Sequence, residues 1–202
     1  MNTRLKTIVL AALLVLSPAL VFAAVETNQP APDFQLKDSH GQDVHLSNYK
    51  GKFVVLEWFN PDCPFVRKQY DSHNMQSLQK EYTQKDVVWL SINSSAEGKQ
   101  GHYSGEEYNA LTKEKNASPT AVLLDHDGKV GKLYNAQTTP HMFVINPDGT
   151  LIYQGAIDDR PTPDPADIAT SKNYVKAALD EAMAGKPVTT AMTKSYGCSV
   201  KY

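Results

Sequence analysis

From Lys52 the chain reads Lys-Phe-Val-Val-Leu-Glu-Trp-Phe, apolar and β-branched with a single acid. A run with no polar face predicts a strand buried on both sides. Val87-Val88-Trp89-Leu90, within Asp86 to Ile92, predicts a second. Upstream, Phe34 and Leu36, then Val44 and Leu46, alternate with polar residues across Asp38-Ser39-His40-Gly41, the pattern of a small hairpin. Ala121 to Leu124 and His141 to Ile145 are further short strands. Asn146-Pro147-Asp148-Gly149 turns the latter back into Thr150 to Gln154. Helical spacing fills the gaps. Pro64 suits the first position of a helix, where its missing N–H costs nothing. Asp71-Ser72-His73-Asn74 interrupts that helix, and Met75, Leu78 and Tyr82 resume the stripe. The polar stretch from Ser94 to Ala117 holds a helix over Ser104 to Lys115. A last helix runs from Ser171 to Ala184, with Tyr174, Ala178 and Met183 facing inward and Gly185 stopping it. Strands alternating with helices predict an α/β domain, a parallel-rich sheet covered on both faces and made mixed by the final hairpin.

Residues 1–23 read differently. Arg4 and Lys6, with no acid, precede the apolar run Ile8 to Leu16; Ser17-Pro18 breaks it, and Ala19 to Ala23 follows. A basic start, a short apolar core and small residues predict a secretory signal peptide cleaved after Ala23. The broken run is short for a span, which needs about 20 residues, and no cysteine stands beside the cleavage site to take a lipid. The expected organisation is a signal peptide over 1–23, one domain over 24–187 and a C-terminal tail over 188–202. The expected location is periplasmic or secreted, with no stable membrane span after cleavage. The 20 basic and 22 acidic residues leave a formal charge of −2, which argues against nucleic acid or an anionic membrane as partner.

The chain has two cysteines, Cys63 and Cys198. In an oxidising compartment such a pair usually forms one structural disulfide. The setting of Cys63 argues for more. A buried strand runs into the turn Asn60-Pro61-Asp62, and Cys63-Pro64 opens a helix. The free N–H groups and partial positive charge of a helix N-terminus favour a thiolate. Arg67 and Lys68, one turn on, are expected to add positive charge. Together they predict a thiol pKa below the ordinary cysteine value, against the upward pull of burial.

This segment resembles the active site of the thioredoxin-like superfamily, closest to the redoxin branch of alkyl hydroperoxide reductase/thiol-specific antioxidant proteins and periplasmic thiol-disulfide oxidoreductases. The strand followed by Phe-x-x-x-Cys-Pro-x-x puts Cys63 on the nucleophilic cysteine. Thr138-Thr139-Pro140-His141-Met142-Phe143-Val144-Ile145 is similar to the Thr-Pro before a strand of that family. The resemblance, from about Pro30 to Ala184, implies a thioredoxin-like mixed β-sheet flanked by helices, with an N-terminal hairpin and an insertion after the second core strand. It also implies that Pro140 is cis, beside the reactive cysteine, and that the Thr139 backbone can pair with a bound thiol or peptide.

The departures bear on function. Val66 stands where Cys-x-x-Cys has its second cysteine, so dithiol exchange cannot run within the motif. The peroxiredoxin pattern Pro-x-x-x-Thr/Ser-x-x-Cys has Leu56 and Asn60 at its Pro and Thr/Ser positions, leaving the Asn60 amide as the donor toward an oxidant. The histidines show no zinc-site spacing, and the Cys-x-x-x-Cys of the copper-chaperone branch is missing beside Cys63 and His141, so no metal is expected. No cofactor motif is present. The resulting expectation is a thiol-based oxidoreductase of the cell envelope, reducing a peroxide or a protein disulfide and recharged by a thiol reductant. Cys63 attacks, and Cys198 on its short tail resolves, within one chain or across a dimer. Thr139, Pro140, Asn60, Pro64 and Arg67 surround the substrate. The alternative is a non-catalytic thioredoxin-fold binding protein with a structural disulfide or inert thiol.

Overall fold

The computed structural model describes residues 25–202; the predicted signal segment lies outside them. The hairpin forms as β1 (Gln35–Asp38) and β2 (Asp43–His45), paired with Leu36 opposite Val44. The apolar run becomes β3 (Val54–Trp58), buried at every position. It feeds α1 (Pro64–Asp71), and α2 (Asn74–Thr83) follows after a break at His73, whose φ of 61° is left-handed. β4 (Val88–Asn93) lies parallel to β3. The insertion then carries α3 (Gly105–Glu114), started by a capping box in which Ser104 and Glu107 satisfy each other's backbone N–H. β5 (Ala121–Leu124) and α4 (Lys129–Leu133) lead to β6 (Thr138–Thr139), β7 (His141–Ile145) and β8 (Leu151–Gly155). α5 (Tyr174–Met183) and the two-residue β9 (Cys198–Ser199) complete the chain.

Seven strands form one sheet in the order β2-β1-β5-β4-β3-β7-β8. β3, β4 and β5 run parallel, while β1, β2 and β7 pair antiparallel with their neighbours, so the sheet is mixed. Successive side chains of a strand alternate faces, and β3 shows the consequence. Val54, Leu56 and Trp58 pack into one core with Phe34, Leu90 and Phe143. Val55 packs on the other side with Met75, Tyr82, Trp89 and Leu179. With helices over both faces, β3 is the centre of the molecule, and its C-terminal end delivers Cys63 to the rim.

Two expectations need correction. Met183 is 39% exposed; the inward stripe of α5 is Val175, Ala178 and Leu179, and Met183, one turn beyond Leu179 at the helix end, reaches water. The residues after Gly185 do not hang free. Thr193 closes on β8, its N–H donating to Gln154 O at 3.0 Å while its hydroxyl accepts from Ala156 N–H at 2.9 Å. Further on, Val200 N–H donates to Gln137 O at 3.1 Å, and the Tyr202 hydroxyl donates to Ala136 O at 2.8 Å. The final residues are a strap laid along the domain.

Candidate active site

Cys63 is the residue before α1, with extended backbone (φ −76°, ψ 126°), and Pro64 takes the first helical position. Its carbonyl accepts from Val66 and Arg67 N–H, at 3.0 and 2.9 Å. The side chain has no exposed surface and packs with Phe59, Val66, Tyr108 and Val122. Its sulfur lies 3.1 Å from the carbonyl oxygen of Thr139, whose bond to Pro140 is cis as the resemblance implies. It also lies 2.7 Å from the sulfur of Cys198. Both thiols are free, Cys198 being half-buried. The pairing of β6 with β9 makes this approach: Thr139 stands opposite Cys198 and Thr138 opposite Ser199. Gly197 permits it, because with φ at 131° a Cβ there would collide with the Thr139 carbonyl.

The two thiols divide one proton unequally. Burial pushes Cys63 up. The Cys198 thiol, Thr139 and the N–H groups of Cys198 and Val66 pull it down by more, so it sits below the ordinary cysteine value. Burial, then the neighbouring Cys63, drives Cys198 up to about 11. The first proton therefore leaves the pair readily and the second is held, with the charge on Cys63. A thiolate at Cys63 beside a protonated Cys198 is the protonation pattern that would suit a nucleophile with a second thiol in contact.

The predicted cations contribute in another way. The Arg67 guanidinium donates to Pro61 O at 3.2 Å and meets the Asp62 carboxylate at 3.5 Å, clamping the turn before Cys63. Lys68 points away into a buried polar cluster, with its ammonium 2.7 Å from Arg160 O and 3.6 Å from Asp158. Asp158 also accepts from Gln69 at 2.7 Å and from the Tyr196 hydroxyl at 2.5 Å. The cluster therefore pins the strap, two residues before Cys198, to the helix that carries Cys63. Asn60 is spent on the loop as well. Its Oδ1 accepts from Asp62 N–H at 2.9 Å and its Nδ2 donates to Gln100 O at 3.1 Å, so its amide anchors the insertion against the turn and is not aimed at an oxidant. Pro64 is exposed. The Thr139 hydroxyl is buried without a hydrogen-bond partner, while Thr139 is among the groups that hold the Cys63 thiol down.

Sequence reasoning missed three features. Glu57, fully buried on β3, accepts from Tyr70, Trp89 and Ser91, each at 2.8 Å. Burial raises its pKa against those donors. The Asp158 cluster joins residues too far apart in the chain for any local pattern. The third is the strap, for which the Gly197-Cys198 pair was the available signal: a glycine beside a cysteine marks a close backbone approach. Among the described residues no three His, Cys, Asp or Glu side chains gather as a metal would require.

A free cysteine beyond the end of a central parallel strand, before a helix and against a cis-proline loop, defines a thioredoxin-like redoxin. The family model described as AhpC/TSA matches residues 27–154, and the chain belongs to that family. It is similar to peroxiredoxin Bcp of Bacillus subtilis, 29% identical over 116 residues, 55% of this chain and 64% of that protein's own length. The thiol-disulfide oxidoreductase ResA of the same organism is 27% identical over 135 residues, 65% of this chain and 70% of that one. Among solved structures, an uncharacterized conserved protein from Geobacillus kaustophilus superposes with a TM-score of 0.73 at 28% identity, covering 88% of this chain and 92% of that one. A DsbE-like thiol:disulfide interchange protein from Chlorobium tepidum, at 24% identity and a TM-score of 0.53 over 65% of this chain and 85% of that one, shares the fold.

Proposed function

We propose that the protein is a two-cysteine thiol oxidoreductase of the cell envelope that reduces a peroxide or a disulfide and is recharged by an external thiol reductant. Cys63 attacks and Cys198 of the same chain resolves. The observation that carries this reading is the 2.7 Å between the two sulfurs, held by the β6–β9 pairing. A disulfide needs Cα atoms within about 7 Å and sulfurs at about 2.05 Å; the β6–β9 pairing sets Cys198 opposite Thr139, whose carbonyl oxygen lies 3.1 Å from the Cys63 sulfur, and so brings the two thiols together. The uneven proton sharing supports the assignment of roles, since the thiolate is the nucleophile. Export is supported by Arg4, Lys6 and the apolar run from Ile8 to Leu16.

The test is to treat the reduced protein with one equivalent of hydrogen peroxide or of a model disulfide and map its peptides without reduction. A Cys63–Cys198 linkage that forms within one chain and yields to dithiol is the expected result. A protein whose thiols survive both oxidants is not an oxidoreductase.

A further inference from the structure

We propose that the C-terminal strap is a specificity filter, confining Cys63 to hydroperoxides and excluding disulfides held in protein chains. The inference rests on the thiol oxidoreductase reading and adds its substrate class. Cys63 has no exposed surface and Thr139 retains 2%. Phe59, Val66, Tyr108 and Val122 surround Cys63 from within the domain, and the strap adds Cys198 against its sulfur and pairs with Thr139. β6 is two residues long, and among the described residues its strand partner is β9. An extended protein chain presenting a sulfur to Cys63 adds itself to this edge through backbone hydrogen bonds, and residues 198–199 already hold those groups.

The strap has little slack. Gly197 lies against the Thr139 carbonyl with no room for a side chain. On one side the Tyr196 hydroxyl is held by Asp158. On the other, Ala96 N–H donates to Lys201 O at 2.8 Å. A protein disulfide must lift this whole length. A hydroperoxide is small and adds no strand, so it asks only for local opening at Cys198 and not for loss of the β6–β9 pairing.

The chemistry closes on the residues present. The Cys63 thiolate attacks the terminal peroxide oxygen and the O–O bond breaks. Cys63 becomes the sulfenic acid, and the alkoxide takes a proton to leave as alcohol, or as water from hydrogen peroxide. Cys198 then closes back. Its thiol sulfur displaces hydroxide from the sulfenic acid, its proton leaves with that hydroxide as water, and the disulfide forms. Two electrons pass from the two thiols to the peroxide. A dithiol reductant restores them.

The experiment compares second-order oxidation rates of the reduced full-length protein by hydrogen peroxide and by a disulfide-bonded protein. Wild type, Gly197→Ala and Tyr196→Phe are measured; the last keeps every backbone contact and so remains informative if the first does not fold. In wild type the protein disulfide should react more slowly by on the order of a hundredfold, with the variants narrowing that ratio about tenfold as strap opening becomes easier. Equal rates in wild type, or a ratio that no variant moves, would overturn the filter while leaving the Cys63–Cys198 couple standing. Resistance of Cys63 to both oxidants would overturn the couple and the filter together.

Discussion

The ammonium of Lys68 stands 3.6 Å from the carboxylate of Asp158, and neither side chain has exposed surface. One belongs to the helix that begins at Cys63, the other to the loop after β8, and Tyr196 of the strap closes on the same carboxylate. The helix that follows Cys63 and the strap that carries Cys198 thus share one buried anchor. Removing one member of a buried pair leaves the other charge uncompensated, which typically costs about 3 to 5 kcal/mol. Lys68→Met should therefore lower unfolding free energy by that amount in urea titrations. Replacing both partners with apolar residues, Lys68→Met with Asp158→Leu, should recover a substantial part. A Lys68→Met protein as stable as wild type would show that the pair anchors nothing.

Much of the sheet was legible because buried strands carry their own pattern. The eight-residue run at Lys52, the hairpin around Gly41 and the break near His73 are all where composition and turn chemistry put them. α5 was legible as a helix, but its inward face was assigned to Met183 when Leu179 holds it. Methionine at a helix end reads as core in a pattern, while the structure lets it face water. The position of Cys63 was legible from its neighbours, since strand, turn and Cys-Pro are local. The charges meant to activate it were misread, because spacing along a helix does not say which counter-charge arrives from elsewhere: Asp62 takes Arg67, and Asp158 takes Lys68. The strap was the least legible part. Its strand is two residues long, and its partners at Thr139, Gln137 and Asp158 come from three distant segments.

The Thr139 hydroxyl separates chemistry from stability. It is buried and unpartnered, so Thr139→Val, which keeps the shape and removes an unsatisfied polar group, should leave unfolding free energy unchanged or raise it by about 1 kcal/mol. Thr139 is also among the groups that hold the Cys63 thiol down. The variant should therefore show a higher Cys63 pKa and slower alkylation at neutral pH, with Thr139→Ser close to wild type. An alkylation profile against pH checks it; a Thr139→Val curve that overlays wild type removes the hydroxyl from the site.

Acid should destabilise the protein through His141. Burial lowers its pKa from 6.5 to about 4, and its Nδ1 accepts from Gln137 N–H at 3.3 Å. The folded state keeps the ring neutral while the unfolded chain protonates it. The stability this gives is full above about 6.5 and is lost as pH falls toward 4, by about 2 to 3 kcal/mol at pH 4.5. Urea midpoints at pH 7 and 4.5 should differ accordingly in wild type, and His141→Gln should lose most of that difference. An equal acid loss in both proteins would assign the effect to other groups.

Cys198 is assigned two jobs, and two substitutions separate them. As a thiol donor it draws the Cys63 pKa down; as a sulfur it closes the disulfide. Cys198→Ser keeps a hydroxyl that can donate to the Cys63 thiolate but cannot form a disulfide. Cys198→Ala removes both. After one equivalent of hydrogen peroxide, both variants should accumulate Cys63 sulfenic acid, trapped by a dimedone-type reagent, and neither should form the intrachain linkage. Their alkylation profiles should differ: the midpoint of Cys198→Ser should stay near wild type, and that of Cys198→Ala should rise toward the ordinary value of about 8.5. The sign follows from the Cys198 thiol serving as donor once Cys63 has lost its own proton, which stabilises the thiolate over the thiol. Should the alanine variant keep the low midpoint, the helix N-terminus at Pro64 and the Thr139 hydroxyl would suffice to activate Cys63, and Cys198 would act only in resolution. Should it instead form a disulfide-linked dimer through Cys63 in preference to the sulfenic acid, the strap would be too loosely held to exclude a second chain, and the intrachain assignment would fail.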